Sequence, residues 1–552
     1  MNFRLKWRVK FTKRHDMQKR QTWSSTLTYI LTVAGATIGF GATWRFPYLV
    51  GENGGAAFVL VFCVAMIAIG IPVILVENVI GRRAQKNSVD AFAPNLAQDL
   101  GENSSQNSKI NENLSTNLAQ NSANAKNLNS APNLKANSSQ NSALNLNENS
   151  HLNEKSSQNL AANLKANSAL NSAQISSQNS SESKAWRGVG YLGLLGSFGI
   201  MAYYMVLGGW VLVYIYNLIF GDFNLSSPVS KEYTSEFYAQ NIEHNPLFIG
   251  IFTALFVLLN YVILKKGIIN GIEKAVKFLM PLLFLCLIIV IIRNLSLDGA
   301  LEGVKFYLSP DFSKITPKLL IDVLGQVFFA LSLGFGVMIT LSSHLKKDEN
   351  LIKTATYTGV LNTIIAFLAG FMIFPALFSA GLSPDKGPSL VFETLPIAFS
   401  YVKFGTFVCA LFFVLLLVAA LTTSLPIYQV IISVLEEKFK LSKNTAINLT
   451  LGGIFVLGNL PCILAYGAWR DIKIVGAKNI FDSFDFISGN VLFVLTAFLC
   501  CIYVGWVMKD EAINELSNGG KIKSKWIKIW FYYVKFIVPV VIGAIFYFGI
   551  VG

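Results

Sequence analysis

Eleven apolar runs, each near or above the roughly 20 residues that an α-helix needs to cross a bilayer, decide what this chain can fold into. They fall at approximately 24–50, 54–81, 189–220, 246–264, 272–293, 317–343, 351–378, 403–436, 445–466, 482–507 and 527–550 of the 552 residues. With 53% of residues hydrophobic and 14% charged, a chain this long has too little polar surface for a soluble globule. It reads as an all-α polytopic membrane protein whose first partner is the lipid bilayer.

The formal net charge of +14 would suit nucleic acid, but Lys and Arg stand in short clusters between the runs. They gather before the first run, at Arg82-Arg83, Lys265-Lys266, Lys346-Lys347, around Lys438, Lys440 and Lys443, and around Lys521, Lys523 and Lys525. All fall on one side of the span count, which marks the cytoplasmic side and excludes a nucleic-acid partner. The N-terminus is then cytoplasmic and, after an odd number of spans, the C-terminus extracytoplasmic. Six cysteines lie in or beside the runs without metal-ligand spacing, and the four histidines show no catalytic spacing, so neither a disulfide framework nor an enzyme is expected. The basic N-terminal stretch is not followed by the short apolar segment and small-residue site of a cleavable signal.

Four segments follow: a basic cytoplasmic tail at 1–22, spans one and two at 23–82, a low-complexity stretch at 83–187, and spans three to eleven at 188–552. The third is dominated by Asn, Ser, Ala, Leu, Gln and Lys. Ser104-Ser105-Gln106-Asn107-Ser108 returns at 138–142 and 176–180, and Asn133-Leu134-Lys135-Ala136-Asn137-Ser138 returns at 163–168. Too little apolar surface is available there to offset ordering entropy, and a disordered cytoplasmic loop grown from a short repeat is the expectation.

Two spans are not ordinary helices. The first carries Gly35-Ala36-Thr37-Ile38-Gly39-Phe40-Gly41-Ala42-Thr43-Trp44-Arg45-Phe46-Pro47, and the sixth Phe328-Phe329-Ala330-Leu331-Ser332-Leu333-Gly334-Phe335-Gly336. Glycine at this density weakens a helix, and backbone groups freed at membrane depth persist only when buried in protein or lining a polar cavity. From 42 Gly and 42 Phe, chance supplies on the order of 0.2 Gly-Phe-Gly tripeptides, whereas two occur, five spans apart. Paired interruptions point to an inverted repeat of five spans with a binding site at the breaks. Close helix packing through small residues would leave a similar trace.

The sequence resembles the neurotransmitter:sodium symporter family, in particular its bacterial amino-acid members. The motifs that carry the likeness are residues 35–47 running into Glu52-Asn53-Gly54-Gly55-Ala56-Ala57-Phe58, then Gly70-Ile71-Pro72 with Glu77 and Gly81-Arg82, then Gly325-Gln326-Val327-Phe328-Phe329 with Ser332-Leu333-Gly334-Phe335-Gly336, and Leu421-Thr422-Thr423-Ser424. The resemblance implies the 5+5 inverted-repeat fold of the leucine transporter with helices one and six broken at mid-membrane, alternating access, sodium as the co-transported ion, no organic cofactor, and a small amino-acid substrate. A bacterial cytoplasmic membrane is the implied location; the oligomeric state is not set.

Carried over residue by residue, the second sodium site of the family falls on Gly35, Ile38, Ala419, Thr422 and Thr423. Neutral oxygens at helix ends suit a hard monovalent cation. Substrate contacts fall on Gly39, Phe40, Gly41, Ile200, Tyr204, Phe329, Ser332, Phe335, Thr423 and Ile427, a lining that favours an apolar or aromatic amino acid. Amine-transporting relatives carry an acid at the position of Gly39, and glycine leaves room for a ligand with its own carboxylate. Arg45 and Asp485 match the outer gate; Arg20 and Trp23, with Glu437 as the carboxylate, match the inner one.

The first sodium site departs from the pattern. Asparagine is usual at the positions of Ala36 or Ala42 and threonine at that of Ala330; only Asn362 keeps a ligating side chain. At the positions of the chloride site stand Phe62, Gln326, Ala330 and Ala366. One coupled sodium ion and no chloride dependence are therefore expected, with a proton or the substrate's own ammonium as alternatives for the vacated place. A transport-degenerate sensor or channel on the same fold is the other reading that these alanines allow.

Overall fold

The computed structural model describes residues 21–93, 185–383 and 389–551. Among them nine helices are long and apolar enough to cross a bilayer unaided: Ala56–Ala84, Ala185–Phe220, Pro246–Leu264, Ile268–Leu295, Leu351–Ser379, Gly405–Glu437, Lys443–Leu464, Ile480–Met508 and Lys525–Gly549. Each overlaps one apolar run. The other two runs are each a pair of helices across a gap. In span one, Thr26–Thr37 and Gly41–Glu52 meet at 64°. In span six, Pro317–Ala330 and Val337–Ser342 flank residues 331–336.

Local chemistry sets these boundaries. Ser25 caps span one by accepting from the Thr28 amide at 3.2 Å, and Thr316 caps span six ahead of Pro317 by accepting from Leu319 at 3.2 Å. At the break in span six the backbone turns left-handed at Ser332 (φ 50°), Gly334 (φ 81°) and Gly336 (φ 73°). A Cβ on Gly334 would lie 2.1 Å from the Phe493 carbonyl oxygen, so conformation and space both require glycine.

Neighbouring spans satisfy the freed backbone. Glu77, fully buried in span two, accepts from the Gly334 amide at 2.7 Å. Ser197 of span three donates to the Phe335 carbonyl at 2.7 Å. These are the protein partners that an interrupted helix needs where no water is available. The most apolar stretch of span three is 89% buried against 28% for span four, so span three belongs to the centre and span four to the lipid-facing shell.

Among the described residues Arg82, Arg83, Lys347, Lys438, Lys440 and Lys443 gather at one end of the bundle, as their side of the span count predicts. Between spans ten and eleven the helix Asp510–Leu516 supplies acids to them. Arg82, buried at the end of span two, pairs with Glu515 at 2.7 Å, Arg83 pairs with Glu511 at 2.8 Å, and Lys347 approaches Glu515 at 3.5 Å. A buried guanidinium left alone would be strongly destabilising. Asp90 pairs with Lys438 at 3.3 Å and with Arg187 at 3.6 Å.

Span two runs on to Ala84, a short turn follows at Asp90–Phe92, and span three starts at Ala185. Residues 94–184 of the 83–187 stretch lie outside the described residues, as does most of the 1–22 tail, Arg20 included. Among the described residues there is no β-strand, only an isolated bridge between Val475 and Lys478, and no group of three metal-ligating side chains.

Candidate substrate and ion site

The breaks in spans one and six face each other. Span one loses its helix at Ile38, whose amide still reaches the Ala34 carbonyl at 2.9 Å. Just before it, carbonyls of the last turn are met by side chains of neighbouring spans. Thr423 of span eight donates to the Gly35 carbonyl at 2.9 Å, and Ser332 donates to the Ala36 carbonyl at 3.1 Å. Thr422 bonds back within its own helix, to Val418 at 3.1 Å and Ala419 at 3.0 Å. A Cβ placed on Gly35 would lie 3.1 Å from the Thr422 Cβ, so spans one and eight are in close contact here. Gly35, Ala419, Thr422 and Thr423 thus come together as carbonyl and hydroxyl oxygens, with buried Ile38 at the adjoining helix end.

Gly39 sits against the side chains expected to hold a substrate. Its hypothetical Cβ would lie 2.4 Å from the Tyr204 hydroxyl and 2.7 Å from the Thr423 hydroxyl. The buried Tyr204 hydroxyl lies beside the Thr423 hydroxyl and the Phe40 backbone, and its ring lies 4.9 Å from that of Phe40. Phe40, Ile200, Ser332, Phe335, Thr423 and Ile427 are all buried. Phe335 stacks on Phe493 with centroids 3.5 Å apart, and Gly41 lies against the half-buried Phe329, whose ring a Cβ there would meet at 2.8 Å.

The first-site positions also assemble, without their ligands. Ala36, Ala42 and Ala330 are fully buried methyls. Asn362 donates through Nδ2 to the Ala330 carbonyl at 3.1 Å, and Gln326 donates through Nε2 to the Gly41 carbonyl at 2.8 Å. Both amide nitrogens being committed, both amide oxygens remain as buried acceptors without a partner among the described residues. Such amide oxygens can accept from an ammonium or a water or ligate a hard cation, and none of Ala36, Ala42, Gln326, Ala330 and Asn362 can carry a proton. The Phe62 ring lies 4.7 Å from that of Phe46, tilted by 53°, and Ala366 is buried.

At the expected outer gate the Arg45 guanidinium lies 4.5 Å above the Phe329 ring. Asp485 is exposed, and no ion pair within 4.0 Å joins it to Arg45. A 120 Å³ cavity lined by Arg45, Phe329, Phe335, Asn490 and Phe493 lies on this side. At the basic end, Trp23 is buried and donates through Nε1 to the Leu341 carbonyl at 3.0 Å. Glu437 accepts from the Asn87 amide at 2.8 Å and lines a 980 Å³ cleft that opens there.

Sequence reasoning missed several partners of span one at the basic end. His344 bonds the Gln21 carbonyl through Nδ1 at 2.7 Å. Thr26 donates to Glu349 at 2.7 Å. Glu273, buried at the start of span five, holds the hydroxyl of Ser24 and pairs with Lys277 at 2.8 Å. A carboxylate inside an apolar run was the available signal for Glu273 and for Glu77 alike.

A sequence model of the Sodium:neurotransmitter symporter family matches residues 20–101 and 237–552. An uncharacterized sodium-dependent transporter of Haemophilus influenzae is 52% identical over 96% of this chain and 98% of its own length. The uncharacterized sodium-dependent transporter YhdH of Bacillus subtilis is 31% identical over 96% and 97%. Among solved structures, MhsT in complex with L-phenylalanine matches with a TM-score of 0.72 at 32% identity, over 96% of this chain and 99% of that one. Likeness over the full length carries the inverted-repeat fold and the transport class with it and leaves no place for an enzyme. The chain belongs to the sodium:neurotransmitter symporter family and is a multi-pass, sodium-dependent transporter.

Proposed function

We propose that this transporter imports a small apolar or aromatic amino acid, coupled to one sodium ion at the span one–span eight site and without chloride dependence. The observation that carries the stoichiometry is the contrast around span one: carbonyl and hydroxyl oxygens converge at Gly35 and Thr423, whereas methyls stand at Ala36, Ala42 and Ala330. Gly39 to Gly41 and Tyr204 receive the substrate carboxylate. The Ser332 hydroxyl and the carbonyls near Phe329 take its ammonium. Phe40, Ile200, Phe335 and Ile427 surround its side chain. MhsT, which is similar over nearly its whole length, is seen with L-phenylalanine, and this supports an apolar or aromatic ligand.

In this reading the basic end faces the cytoplasm of a bacterial inner membrane, with the N-terminus inside and the C-terminus outside. Arg45 and Asp485 close over the substrate when the outer path shuts. Trp23, Arg20 and Glu437 hold the inner path until the substrate is released.

Uptake of labelled amino acids into proteoliposomes under a sodium gradient tests this directly. The expected result is sodium-driven accumulation with a Hill coefficient near one, unchanged when chloride is replaced by gluconate. A coefficient clearly above one, or a chloride requirement, would overturn the stoichiometry. The three alanines also suit a channel or sensor, and sodium-dependent counterflow distinguishes the cases because a channel shows none.

A further inference from the structure

We propose that Lys535, between spans ten and eleven at the basic end, binds the phosphate of an anionic phospholipid from the adjoining leaflet. Lys535 lies inside span eleven, Lys525–Gly549, where an uncompensated charge is costly. No carboxylate lies within 4.0 Å of it among the described residues. Its ammonium instead stands over three rings, 4.4 Å from the centroid of Trp506, 5.5 Å from that of Phe536 and 5.8 Å from that of Phe531.

Phe531 is one turn nearer the start of the span, so the lysine leans back toward the basic end, as lysines in membrane helices do. Span ten gives the depth. A Cβ on Gly505 would lie 2.9 Å from the Lys535 Cα and 3.1 Å from its Cγ, so the lysine stem fills the place of a missing side chain. Span ten ends at Met508, only about 4.5 Å further along the helix. The ammonium therefore lies close to the bilayer boundary, with an interfacial tryptophan beside it, within reach of phospholipid phosphates.

The slot is open toward lipid. Trp506 is 48% exposed and Phe536 51%. Lys528, two turns before Lys535 on the same face, is exposed, as are Lys521, Lys523 and Lys525. The neighbouring acids Glu511 and Glu515 are turned to Arg83 and Arg82, which leaves Asp510 to offset these lysines. Rings attract an ammonium, but a lysine carries three donors and seeks acceptor oxygens. A phosphate supplies the countercharge and the oxygens together. The exposed Ile529, Ile537 and Val540 of the same span meet acyl chains, which favours a lipid over a free anion.

The test uses the full-length protein in a neutral detergent. Added phosphatidylglycerol should raise its melting temperature by about 3 °C, while phosphatidylcholine and inorganic phosphate should each raise it by less than about 1 °C. In K535Q the phosphatidylglycerol shift should fall at least about twofold, and K535R, which keeps the charge over the rings, should retain it. K523Q removes the same charge outside the slot and should retain it too. Equal losses in K535Q and K523Q would mean diffuse attraction and overturn the proposal, as would an equal shift from phosphatidylcholine or inorganic phosphate. A second measurement leaves the lysine in place. In bilayers, Trp506 fluorescence, taken by difference from W506F, should be quenched at about fivefold lower mole fraction of brominated phosphatidylglycerol than of brominated phosphatidylcholine. Equal quenching by the two lipids sinks the site. Neither measurement involves transport, so the outcome is independent of the substrate and ion proposed above.

Discussion

The two neighbourhoods of the span-one break share one backbone and differ in what surrounds it. On the span-eight side a hydroxyl crosses to the Gly35 carbonyl, and carbonyls of both helices lie close by. On the span-six and span-seven side stand Ala42 and Ala330, with the Asn362 and Gln326 amide oxygens unpartnered behind them. Breaking a helix exposes carbonyls whatever its sequence. Side-chain ligands are the removable part of such a site. This chain retains the first contribution on both sides and the second chiefly on one.

The sharpest way to break that comparison is T423V, which keeps the volume and removes the hydroxyl between spans one and eight. Sodium-stimulated uptake should fall at least about tenfold, equivalent to about 1.4 kcal/mol; unchanged sodium dependence would show that the ion sits elsewhere. G39A comes next. Its methyl would press on the Tyr204 and Thr423 hydroxyls at 2.4 and 2.7 Å, so both must shift, and uptake should drop roughly fivefold while thermal stability in detergent changes little. A loss of stability as large as the loss of uptake would make Gly39 a packing residue only.

The complementary experiment restores ligands on the other side. In A42N/A330T the sodium Hill coefficient should rise from near one toward two, measured by uptake against sodium concentration. A folded double variant whose coefficient stays at one would mean that alanine is not what limits coupling. The smallest effect lies away from both neighbourhoods and serves as their control. Burial would raise the Asp90 carboxyl, but the bond from Asn87 and the charge of Lys438 outweigh it and hold it below the ordinary carboxylate range. That stabilisation is present above the unfolded carboxylate value and disappears as pH falls through the lowered folded one. D90N should therefore lessen the drop in melting temperature between about pH 7 and pH 4 by roughly one degree, leaving sodium coupling untouched.

Periodicity and composition made the spans legible, because length and apolarity alone decide whether a helix can cross. The two breaks were legible from Gly35, Gly39 and Gly41 and from Gly334 and Gly336, since glycine at mid-span has few other uses. The supports of those breaks were not. Glu77 reaches Gly334 and Ser197 reaches Phe335 across more than a hundred positions, and no local pattern encodes which span lies beside which. Trp23 could be assigned from the family motif, but its actual acceptor, the Leu341 carbonyl, is main chain, and any residue there would offer the same atom. His344 stood among four histidines with nothing in the sequence to mark it.

Asp90 and Arg187, on either side of the long Asn/Ser-rich stretch, meet at 3.6 Å. The chain therefore leaves the bundle after span two and re-enters it before span three at one ion pair. Between fixed ends, doubling the length of a flexible connection costs in general only about 0.6 kcal/mol of closure entropy. By that general argument the junction at Asp90 and Arg187 is a natural port for inserting a reporter domain or for shortening the chain before crystallisation.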